Sequence, residues 1–99
     1  MNVAKLLQQA QRAQEQMQKM LGELEVEGSA GGGLVRVRLN GLKELKGVSI
    51  DAKVLAGEEP GLVEDLVVAA WQEAARLVEE RSHEVLARLG LSAGVPGLF

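Results

Sequence analysis

The chain has 99 residues, 46% hydrophobic and 25% charged, the balance of one ordinary globular domain. It holds no cysteine, which excludes disulfides, thiolate metal sites and a cysteine nucleophile and fits a reducing cytoplasm. The net charge of −3 runs against the basic balance of most nucleic-acid-binding domains, yet the charge is segregated. Residues 1–22 carry Lys5, Arg12 and Lys19 against Glu15, residues 34–50 carry Arg36, Arg38, Lys43 and Lys46 against Glu44, and most of the acid lies in residues 51–84. The opening run Met1–Gln9 has no signal-peptide core, and the longest uninterrupted apolar run, Leu66–Trp71, is too short to span a bilayer, so a cytoplasmic location is expected.

Residues 3–24 read as a helix. Val3, Leu6, Ala10, Ala13, Met17, Met20 and Leu24 recur in alternating steps of three and four, a heptad seam widened by Leu7 and Leu21. Ala and Met let a partner approach closely and adapt, and the other faces are largely glutamine. Leu24–Glu27 alternates apolar and acidic residues as a half-buried strand would, and residues 28–33 (Gly-Ser-Ala-Gly-Gly-Gly) predict a turn. Leu34–Leu39 is the clearest strand, with Val35, Val37 and Leu39 on one face and Arg36 and Arg38 on the other. Asn40-Gly41 predicts a tight turn, and residues 46–50 a third strand with Val48 and Ile50 facing the core. Asp51 is placed to cap a helical turn through Leu55. A long helix is expected from Pro60 to Leu89, its apolar line being Val67, Trp71, Ala74, Val78, Val85 and Leu89 with Ser82 in the gap, broadened by Leu66, Ala70 and Leu77. Gly90 would stop it, giving one domain over residues 1–90 and a flexible tail over 91–99.

Four stretches, in order, resemble the YbaB/EbfC family. They are the Gln- and Met-rich opening helix (7–11 and 17–20), the glycine turn and valine strand of 28–35, Leu39-Asn40-Gly41 with Val48-Ser49-Ile50-Asp51, and residues 62–70 with Ala74-Ala75-Arg76. The order and spacing cover nearly the whole chain. The resemblance implies an α+β fold of order α-β-β-β-α, with a three-stranded antiparallel sheet between two long helices. It further implies a tweezer-like homodimer, DNA binding in the bacterial nucleoid, and no catalytic residues. The chain departs from the family pattern in a short tail with one proline, Pro96, and in Trp71 where relatives often have phenylalanine, read as a change within the core.

Lys5, Arg12 and Lys19 stand seven residues apart, which sets a positive charge about every 10 Å along one helix face. On spacing alone this is an ordinary solvated face. With the resemblance it becomes a stripe for the phosphate backbone, and Gln9, Gln11 and Gln16 are candidates for base edges. In the last helix Arg76 and Arg81 lie among Glu73, Glu79, Glu80 and Glu84 and are expected to pair internally, leaving Arg88 as the better contact. Arg36 and Arg38 are solvated or paired with Glu25 and Glu27 across strands. The glycine turn lacks the Gly-Lys-Ser/Thr ending of a phosphate loop, and His83 has no second histidine or cysteine with which to bind a metal. Trp71 and Phe99 are too few to stack bases, which disfavours single-stranded ligands.

The reading is a homodimer that binds duplex DNA through phosphates from Lys5, Arg12, Lys19 and Arg88, with Gln9 and Gln16 alongside. No enzyme activity, cofactor, small-molecule substrate or membrane partner is expected. The alternative is a protein-interaction module that uses the Met- and Gln-rich helix without touching DNA.

Overall fold

Asn2 opens the first helix by accepting the Lys5 N–H on Oδ1 at 3.3 Å, a cap that the seam alone did not mark. The computed structural model describes residues 2–57 and 59–88. Its elements are α1 (Val3–Glu23), β1 (Glu25–Ala30), β2 (Val35–Asn40), β3 (Leu45–Ile50), α2 (Ala52–Ala56) and α3 (Pro60–Arg88). The expected α-β-β-β-α order holds, with the short α2 between β3 and the long last helix. Leu24 is the C-cap of α1, its N–H returning to Met20 and Leu21 carbonyls. Asp51 caps α2 by accepting the Lys53 N–H at 2.8 Å. Leu89, Gly90 and the tail 91–99 lie outside the described residues.

The strands form one antiparallel sheet in the order β1-β2-β3. Pairing runs from Glu25↔Asn40 to Ala30↔Val35, so Gly28, Ser29 and Ala30, expected in a turn, are strand. The reason is helix packing. A Cβ on Gly28 would stand 2.3 Å from the Ala70 carbonyl oxygen and from the Ala74 nitrogen, so glycine here lets α3 lie directly on β1. The turn itself is carried by Gly31, Gly32 and Gly33, all at positive φ.

The second hairpin also departs from expectation. Neither Asn40 nor Gly41 has positive φ; that conformation falls on Lys43, at 62°. The loop is built instead by the Asn40 side chain, whose Oδ1 accepts the N–H groups of Leu42 and Glu44 at 3.0 and 2.9 Å.

Val26, Val35, Val37 and Leu39 from the sheet meet Ala70, Ala74 and Val78 from α3 in the core. The buried stripe of α3 advances in steps of four through Ala70, Ala74, Val78, Ser82 and Leu86. Leu86, absent from the expected line, is buried, and the Ser82 hydroxyl is buried among the described residues with no hydrogen-bond partner. Trp71, expected in the core, is 43% exposed. Val48, paired with the buried Val37, is also largely exposed, because α3 packs chiefly across β1 and β2 and leaves the inner face of β3 open. Leu45 on the same strand is 58% exposed.

Candidate nucleic-acid interface

Every residue from Asn2 to Gln16 is exposed, and α1 meets the body only through its last turns, where Leu21 is buried and Met17 and Met20 are half-buried. The helix is therefore an arm on a molecule that measures 67 × 19 × 18 Å. Its seam residues Val3, Leu6, Ala10 and Ala13 are exposed, with no cover from the other described residues.

Lys5, Gln9, Arg12, Gln16 and Lys19 follow one another in steps of four, three, four and three, and all are exposed. At 100° per residue they occupy an arc of about 80°, centred about 110° around the helix from the apolar seam. The two faces are thus separate, and a partner on the seam leaves the polar stripe open. Among the described residues no carboxylate lies in a salt bridge with Lys5, Arg12 or Lys19. Glu23 continues the same face at the body end, where the stripe changes sign.

The other basic residues are engaged differently. Arg38 binds Glu25 at 3.1 Å, a diagonal to its register partner Glu27, as cross-strand pairing allowed. Arg36 turns its Nε to the Gly33 carbonyl. Arg76 bridges Glu73 and Glu80 at 2.9 and 3.1 Å. Its hydrogen bonds hold the Glu73 carboxyl below the ordinary carboxylate value and raise the Arg76 guanidinium in turn. Lys43 reaches Glu79 at 3.5 Å. Arg88 is exposed in the last described turn of α3, on a different element from the stripe. No group of three or more His, Asp or Glu among the described residues is arranged to hold a metal ion, and no described helix is long and apolar enough to cross a membrane.

What the sequence did not reveal is how the arm is fixed. Asn40, 2% exposed, donates from Nδ2 to the Gly22 carbonyl at 3.4 Å and to Glu44 Oε1 at 2.7 Å. The Gly41 N–H donates to the carbonyls of Leu21 and Leu24 at 2.8 and 2.9 Å. The Asn-Gly pair signalled a turn, and nothing local to it signalled a helix partner.

The profile of the YbaB/EbfC DNA-binding family matches residues 1–93. A nucleoid-associated protein of Xylella fastidiosa is 43% identical over 99% of this chain and 92% of its own. One from Clostridium novyi is 37% identical over 100% of this chain and 90% of its own. The crystal structure of an uncharacterized protein from Helicobacter pylori superposes with a TM-score of 0.73 at 24% identity, over 88% of this chain and 91% of that one, and so shares the fold.

Proposed function

As this chain belongs to the YbaB/EbfC DNA-binding family, we propose that it works as a homodimer that binds duplex DNA in the bacterial nucleoid through the exposed stripe Lys5-Gln9-Arg12-Gln16-Lys19. The observation that carries this reading is the separation of faces on α1. Among the described residues, a row of cations without salt-bridge partners stands on an arm whose apolar seam is also uncovered. Cations spaced about 10 Å apart neutralise phosphates and release their counterions, which drives binding to any sequence. Gln9 and Gln16, interleaved with the cations, reach base edges when the arm enters a groove. Arg88 adds a phosphate contact from α3. Sequence preference is weak and comes from the ease with which a site bends, so the protein alters DNA conformation and, through it, gene expression.

The second copy covers the apolar surface that one copy leaves open. Leu45 and Val48 of β3 and Trp71 of α3 stay exposed on the folded body, and Val3, Leu6 and Leu7 on the arm. Exposed apolar surface on this scale, in a domain this small, marks an interface. Pairing two copies brings two arms into one assembly.

The reading is tested by titrating the protein with several unrelated duplexes at rising salt. Affinity should fall linearly on logarithmic axes with a common slope for all of them. Absence of binding, or binding indifferent to salt, would refute it.

A further inference from the structure

The last turn of a helix leaves carbonyl oxygens with no partner inside the helix. In α1 two of them are met from outside, by the end of β2 and the loop that follows it. Gly22 O accepts from Asn40 Nδ2, and Leu21 O accepts from the Gly41 N–H besides the Leu24 N–H of its own C-cap. Gly41 is itself buried, and a Cβ there would come within 2.5 Å of the Leu21 carbonyl oxygen. The loop therefore presses against the helix end without an intervening side chain.

Asn40 is saturated in this place. Both lone-pair directions of Oδ1 take backbone N–H groups of its own loop, from Leu42 and Glu44, and both hydrogens of Nδ2 are given away, one to Glu44 Oε1 and one to Gly22 O. The first three bonds fix the amide rigidly in the loop. The fourth passes that rigidity to α1. No other amino acid has two donors and an acceptor on so short a side chain. Aspartate, of the same shape, would set a carboxylate against a helix C-terminus and against Glu44, both negative.

We infer that Asn40 is the positioning residue of the DNA-binding arm: its amide, locked by Leu42, Glu44 and the Glu44 carboxylate, holds α1 at a fixed angle to the body through Gly22, so that the stripe meets phosphates in register. This rests on the reading of α1 as the DNA-contacting arm. The arm is long, and its free half has no other support among the described residues. A small change of angle at Gly22 is therefore a large displacement at Lys5.

The absence of cysteine makes the test direct. Gln8→Cys on α1 and Gln72→Cys on α3, both exposed positions, take spin labels, and labelled chain is diluted into excess unlabelled chain so that each dimer carries one pair. Pulsed dipolar spectroscopy should give one narrow distance distribution in the otherwise unchanged protein and a broadened one with Asn40→Ala. Asn40→Asp serves as the second variant, because it keeps the two acceptor bonds that hold the loop while it replaces both donors by a negative charge facing Gly22 O and Glu44. In both variants the slope of log affinity for duplex DNA against log salt should fall by about 0.9 for each phosphate contact the displaced arm gives up. A folded Asn40→Ala or Asn40→Asp chain with an unchanged distance distribution would overturn the positioning role. A broadened distribution with unchanged duplex binding would uphold that role and overturn the reading of α1 as the DNA arm.

Discussion

Gly28 of β1 and Ala74 of α3 touch backbone to backbone: a Cβ at position 28 would lie 2.3 Å from the Ala74 nitrogen and 2.8 Å from its Cα. This contact sets the height of α3 over the sheet and lets Ala70, Ala74 and Val78 reach Val26, Val35, Val37 and Leu39. Gly28→Ala puts a methyl group where only backbone can move aside. It should cost about 3 kcal/mol or more, at the upper end of overpacking penalties. Urea denaturation followed by circular dichroism checks this, and Gly32→Ala, where a Cβ meets nothing within 4 Å but φ is positive, is the comparison that separates contact from backbone strain.

That contact also shows where the sequence was legible and where it was not. Periodicity marks any element that keeps one continuous apolar face, so α1 and β2 have ends within a residue of those the sequence predicts, and α3 begins at Pro60 as expected. It failed at residues 28–30 because glycine and serine usually mark turns, and nothing along β1 says that a helix backbone will pass above it. Trp71 and Val48 fit an apolar pattern, but the pattern does not say which chain supplies the cover. That Lys5, Arg12 and Lys19 share an exposed face was legible from spacing, since a helix face follows from 3.6 residues per turn, but spacing alone reads it as a solvated face and only the family resemblance suggested a role with DNA. Asn40 was not, because its partner Gly22 is 18 residues away in sequence.

Trp71 is the only tryptophan and is 43% exposed on a single copy, which makes it a reporter of assembly. The protein should sediment as a dimer at micromolar concentration. On dilution the Trp71 emission should move to longer wavelength as the partner's cover is lost. Trp71→Glu should shift sedimentation to the monomer while helical circular dichroism is retained. A folded, stable monomer of the unchanged chain at micromolar concentration would contradict the proposed interface.

Residues 51–84 hold nine carboxylates against Lys53, Arg76 and Arg81. Glu79 and Glu80 are bound to Lys43 and Arg76 in exposed pairs, which add little to stability. Glu79→Gln with Glu80→Gln removes two charges that repel phosphate and releases Lys43, while Arg76 keeps its bridge to Glu73. Duplex affinity should rise with the footprint unchanged. No gain in affinity would place this surface away from the DNA.

The central claim is that the stripe on α1 is the phosphate-contacting surface, and the salt dependence of duplex binding measures it most directly. Replacement by glutamine keeps helix propensity and removes only charge, so melting temperatures should stay nearly constant. A dimer presents each residue twice, and Arg12→Gln alone should lower the slope of log affinity against log salt by about 1.8, alike for every duplex sequence. Lys5→Gln, Arg12→Gln and Lys19→Gln together should lower it further and leave only the residual contribution of Arg88. A triple variant that stays folded and binds duplex DNA with the original salt slope would contradict the account.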